Sequence, residues 1–162
     1  MEIEALKKVY KRSDQMVLIV MIFALPIFGM IYLYHSSGNL DWGLPKFQGW
    51  VNQLLVFSGV LLLITQVFLF QKKIAAINPR SDLLIKLTQY STATKQRYLM
   101  LLGVSLICSL GLLLFQSAIY NLLFALTLLF FSLGKPNPNR INKALKLNEG
   151  DIEKIRLASR PD

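Results

Sequence analysis

From residue 98 to residue 134 the chain runs for thirty-seven residues without an Asp, Glu, Lys or Arg. A hydrocarbon core about 30 Å thick needs about 20 apolar helical residues to cross it. As one helix this stretch would be roughly 55 Å long at about 1.5 Å per residue, far more than tilt can absorb. Near its middle Gln116, Ser117 and Asn121 gather around Tyr120, which offers a turn at a headgroup boundary. The stretch therefore reads as two short spans, about 98–115 and 118–134.

Two further uncharged runs, 16–34 and 50–70, each suit one crossing. The chain is 54% hydrophobic and 17% charged, and its apolar residues lie in long runs instead of recurring at the spacing of a half-buried helix or strand. The expected fold is all-α: a polytopic membrane protein with four transmembrane helices and cytoplasmic helical extensions.

Charge placement bears on the span count independently. Four of the eighteen Lys and Arg precede Met16, six lie in or beside the second connection (Lys72, Lys73, Arg80, Lys86, Lys95, Arg97), seven follow Gly134, and only Lys46 lies in the first connection. With four spans the three basic segments share one side, which the positive-inside rule assigns to the cytoplasm. With three, the basic tail would be translocated. Both termini are thus expected in the cytoplasm. The net charge of +9 is accounted for by topology and by anionic lipid headgroups at that face, so nucleic acid is not an expected partner. The first span is too long for a signal-peptide core and no A-x-A-like site follows it, so it reads as an anchor.

Residues 1–15 place Ile3, Leu6, Val9 and Tyr10 on one face. They read either as an amphipathic helix lying at the inner interface or as a frayed tail. Pro26 and Gly29 mark a kink in the first span. The first connection carries Tyr32, Tyr34, Trp42, Phe47 and Trp50 as interfacial anchors, with His35 and Asp41 too few for a metal site.

The cytoplasmic connection 71–97 is patterned. Asn78-Pro79 ends the second helix, Ser81 can cap a new one, and Asp82 with Lys86 forms an i,i+4 pair. Leu83, Leu87, Tyr90, Thr94 and Tyr98 recur at steps of three or four and carry that helix into the third span. The second helix, the tail or a partner protein could cover this stripe. In the tail, 135–162, Asn137-Pro138 starts one helix running to about Lys146 and Asn148-Glu149 starts another, with Ile141, Leu145, Leu147, Ile152 and Ile155 apolar.

Lys86, Leu87, Tyr90 and Ala93 form a K-L-x-x-Y-x-x-A element before the third span, and Pro136, Ile141, Leu145, Leu147 and Glu149 mark a proline-started tail. Over its C-terminal half the chain thereby resembles a family of small bacterial inner-membrane proteins with four spans and no assigned activity. That family often has an "ALLEG"-like segment with an acid early in the third span, where this chain has "YLMLLGVSL". The resemblance implies the topology and an inner-membrane home.

The spans hold no ionisable residue apart from Cys108, a small packing residue, and the phenols. Asn52, Gln53, Ser58, Thr65, Gln66, Ser105, Ser109, Gln116, Asn121 and Thr127 are their uncharged polar groups, expected to hydrogen-bond across helices. There is no nucleophile elbow, phosphate loop or cysteine pair. No catalytic, cofactor-binding or metal site is expected, and no enzyme. The expected role is a structural or interaction subunit docking through Leu83, Leu87, Tyr90, Ile141, Leu145, Ile152 and Ile155 onto a membrane-protein partner or a second copy. The alternative is a small transporter or channel.

Overall fold

The computed structural model describes residues 2–38 and 47–159, so Asp41, Trp42 and Lys46 lie outside the described residues. Among those described every regular element is helical: α1 (Glu2–Ser36), α2 (Gly49–Ala75), α3 (Leu83–Phe115), α4 (Ile119–Gly134), α5 (Pro138–Leu145) and α6 (Glu149–Ser159). Three of them, α1, α2 and α3, are long and apolar enough to cross a membrane, and α4 with the sharply bent α5 makes up to four.

The third helix is the central one. Its buried residues Leu83, Leu87, Tyr90, Thr94, Tyr98, Leu101, Ser105, Cys108 and Leu112 recur at three or four along its whole length, the spacing of one helix face. The helices around it bury narrower stripes. Val17, Val20, Ala24 and Phe28 are the buried line of α1, and Gly59, Leu63 and Gln66 that of α2. Their other faces expose Leu18, Ile22, Leu33, Phe57, Leu61 and Phe68. Apolar surface of that extent is costly in water and suits lipid.

The turn between α3 and α4 falls at the expected polar cluster. Gln116 adopts a left-handed conformation (φ 50°) and its backbone N–H donates to Leu112, closing α3. The fourth helix then returns antiparallel along α3, with Tyr120 against Gly111 at one end and Phe131 and Gly134 against Tyr98 at the other. A Cβ on Gly111 would sit 2.1 Å from the Tyr120 ring, so only glycine admits this approach. The Tyr120 hydroxyl donates to Asn52 Oδ1 at 2.6 Å and holds the start of α2 in place. His35 Nε2 lies 3.3 Å from the Gln116 carbonyl and brings the end of α1 to the same level. The four helices therefore alternate in direction, and their basic ends gather at one end of the bundle.

Several local expectations change. Residues 2–15 form no separate element: α1 is unbroken from Glu2, and Pro26 lies inside it. Leu6 is fully buried, and covering it against the tail favours a continued helix over one lying flat at the interface. Asp82, not Ser81, is the N-cap residue of α3. Asp82 and Lys86 are linked by the backbone, Lys86 N–H to the Asp82 carbonyl at 3.0 Å, while the Lys86 side chain is buried beside Phe70 and Leu145. The buried serine and threonine hydroxyls do not reach across helices. Ser105, Ser109 and Thr127 each donate to the carbonyl four residues back, an acceptor always within reach in a helix.

Candidate functional site

The bundle has two cores in series. The membrane-level core holds Tyr98, Leu101, Val104, Cys108, Leu112, Tyr120, Leu123, Phe124 and Phe131, with the Phe28 and Phe124 rings stacked at 3.7 Å. Beyond it, at the basic end, a second core is built from Leu6, Leu83, Leu87, Tyr90, Ile141, Leu145, Ile155 and Ala158. Both α1 and α3 pass through both cores without a break.

The second core is where the residues read from the sequence as a docking surface come together. Leu83, Leu87, Tyr90, Ile141, Leu145 and Ile155 are all buried there against one another, with Phe70 and Ile74 of α2 packed on them. Ile152 is half-buried. Of the possible covers for the α3 stripe, the chain supplies two itself, the end of α2 and the tail. Side chains already enclosed in this way offer no free surface. The outward side of the tail is formed by Glu149, Glu153, Arg156 and Leu157 around Ile152.

The tail is built as its sequence suggests. Asn137 caps α5, its side chain accepting from the Asn139 N–H, and Pro138 fills the first turn, where no N–H is needed. Lys146 closes α5 in a left-handed conformation (φ 49°). The Asn148 carbonyl accepts from Ile152 N–H at the start of α6, and α6 lies on the first turns of α1.

Between the two cores lies a polar collar that spacing did not reveal. The Arg97 guanidinium sits 5.0 Å over the Phe70 ring, a cation–π contact, and that ring meets Tyr90 edge-on at 6.1 Å. Arg140 Nη1 donates to the Leu133 carbonyl in the last turn of α4, where helix carbonyls lack partners and a cation is favoured. The Tyr10 hydroxyl donates to the Pro136 carbonyl at 3.2 Å. Ser13 and Ser91 bond to each other at 2.5 Å and clip α1 to α3.

Burial raises the pKa of the Tyr90 phenol, and Arg97 and Arg140 pull it partly back. The Thr94 hydroxyl pulls the same way from nearby, but lies outside hydrogen-bond geometry and keeps an unpartnered Oγ1. Burial, with Asp14 and Tyr90 adding to it, also raises Tyr10. Tyr10 and Tyr90 are therefore neutral phenols over the physiological range, and Tyr10 donates to the Pro136 carbonyl.

In α2, Gln66 is fully buried and both its amide atoms lack partners. Among the described residues no three His, Cys, Asp or Glu side chains come together as a metal site. The arrangement can hold helices in register and present charge at a boundary. Comparison of the chain with protein-family models, curated proteins and solved structures finds no match.

Proposed function

We propose that this chain is a four-span protein of the bacterial inner membrane with both termini in the cytoplasm, serving as a structural or interaction subunit of a membrane complex. The spans are 16–34, 50–70, 98–115 and 119–134, and the second core is a small cytoplasmic cap. The observation that carries the reading is the passage of α1 and α3 through both cores. A cap built on the same two helices as the membrane bundle moves with it and holds a partner at fixed height and angle. The outward side of α6 is the surface left for that partner.

The family resemblance and the gathering of the three basic segments at one end support the orientation. The membrane-level side chains fill the bundle and touch one another, which favours this reading over a transport path.

The test is purification of the tagged chain from native membranes in mild detergent, followed by native mass spectrometry. A stoichiometric partner, or a defined homo-oligomer lost on Leu157→Asp, is expected. A lone monomer that conducts ions or solutes in proteoliposomes would replace this reading with the transporter.

A further inference from the structure

Where α1 and α3 leave the membrane-level core, they form the walls of a groove of about 590 Å³. Its chemistry changes along its length. Arg12 of α1, one residue before the Ser13–Ser91 contact, and Lys95 of α3, one turn past it, line the groove, both exposed. Between the walls runs the Ser13–Ser91 hydrogen bond. Thr88 and Thr92 also line the groove, but they donate to carbonyls of their own helix, whereas the Thr94 hydroxyl on the same lining has no partner; the charge on the lining comes from the two cations. Toward the membrane level the lining becomes Met16, Val17 and Ile19, the last of these 53% exposed. Among the described residues no carboxylate lines the groove.

We infer that this groove holds one anionic phospholipid of the leaflet at the basic end, its phosphate between Arg12 and Lys95 and an acyl chain along Met16, Val17 and Ile19. The inference rests on the membrane reading above and assigns one lipid to one site. The two cations lie on either side of the Ser13–Ser91 contact and next to Met16, Val17 and Ile19, so the groove offers a phosphate and an acyl chain adjoining places. A zwitterionic lipid would bring a further cation against Arg12 and Lys95, which selects for an anionic headgroup. Juxtamembrane cations attract anionic lipid generally. The groove adds walls that fix its place.

The test is native mass spectrometry of the full chain released from mild detergent, offered phosphatidylglycerol and phosphatidylcholine in equal amounts. Extraction that requires detergent establishes the membrane reading first, so lipid retention reports on the groove alone. One phosphatidylglycerol per chain is expected in preference to phosphatidylcholine. Arg12→Gln with Lys95→Gln should weaken its retention roughly thirtyfold, the product of two juxtamembrane cations. Lys72→Gln with Lys73→Gln, which removes equal charge from the end of α2, should leave it in place. Thr92→Trp, at an exposed position, should displace the lipid while keeping both cations. Inorganic phosphate at millimolar concentration should not displace it. Equal retention of the two lipids, equal loss in the α2 control, unchanged retention in Thr92→Trp, or displacement by phosphate would each overturn the assignment.

Discussion

The Tyr98 hydroxyl donates to the Phe131 carbonyl at 2.8 Å, both residues fully buried, and ties the inner part of α3 to the return leg of α4. Tyr98→Phe keeps the ring and removes only this bond. A loss of about 1 kcal/mol is expected, the scale of a hydrogen bond between membrane helices, read as a lower denaturation midpoint in detergent. An unchanged midpoint would mean that the ring contacts alone hold the two helices.

Gly111→Ala places a methyl group inside the Tyr120 ring. The hairpin must open or the ring must turn away from Asn52, and overpacking of this kind costs about 1–3 kcal/mol. In a Tyr120→Ala background the same change should cost far less, a coupling that a double-mutant cycle measures. Additive effects would contradict the close approach.

Gln66→Leu should stabilise the bundle by about 1 kcal/mol. Burying an amide without partners is unfavourable, and an apolar group of similar size removes that cost. Thermal denaturation in detergent checks the sign. Destabilisation would show that the amide serves a group bound at that level.

Ile155→Asp puts an unpaired carboxylate in the second core, where Ile155 is fully buried. A loss of about 3 kcal/mol or more is expected, enough to free the tail. Limited proteolysis should then cut between residues 135 and 148 while the spans stay intact. Resistance equal to that of the parent chain would show that the tail is held elsewhere.

The second core should also loosen in alkali. Folding raises the pKa of Tyr10 and Tyr90 above their ordinary value of 10.0. Their contribution is therefore complete below about pH 10 and is lost as pH rises through the folded-state values. Tail protection from protease should fall in that window, and Tyr10→Phe with Tyr90→Phe should flatten the profile. A profile unaffected by the two substitutions would place the titrating groups elsewhere.

Which features could be read from residues alone follows from where their cause lies. The break at Gln116 follows from length, because an uncharged stretch nearly twice the membrane thickness must turn somewhere polar. The Asn137-Pro138 start of α5 is local chemistry, and the Leu83–Leu87–Tyr90 stripe is periodicity. What covers that stripe is a tertiary fact. The same spacing serves a partner or the chain's own tail, so buried core residues read as a docking surface. Tyr98 and Arg140 bond to backbone carbonyls, which carry no side-chain signal. Gly111 stood out only as one small residue among several, because its aromatic neighbour lies nine positions away across a turn.

The central claim is that four spans return the tail to the side of the N-terminus. The most direct measurement is labelling of single cysteines in a Cys108→Ala background with a membrane-impermeant maleimide, in intact cells and after lysis. Ser37→Cys is expected to react in intact cells. Thr92→Cys and Gly150→Cys, the latter at a position with open space around it, should react only after lysis. Labelling of Gly150→Cys in intact cells would put the tail outside and contradict the account.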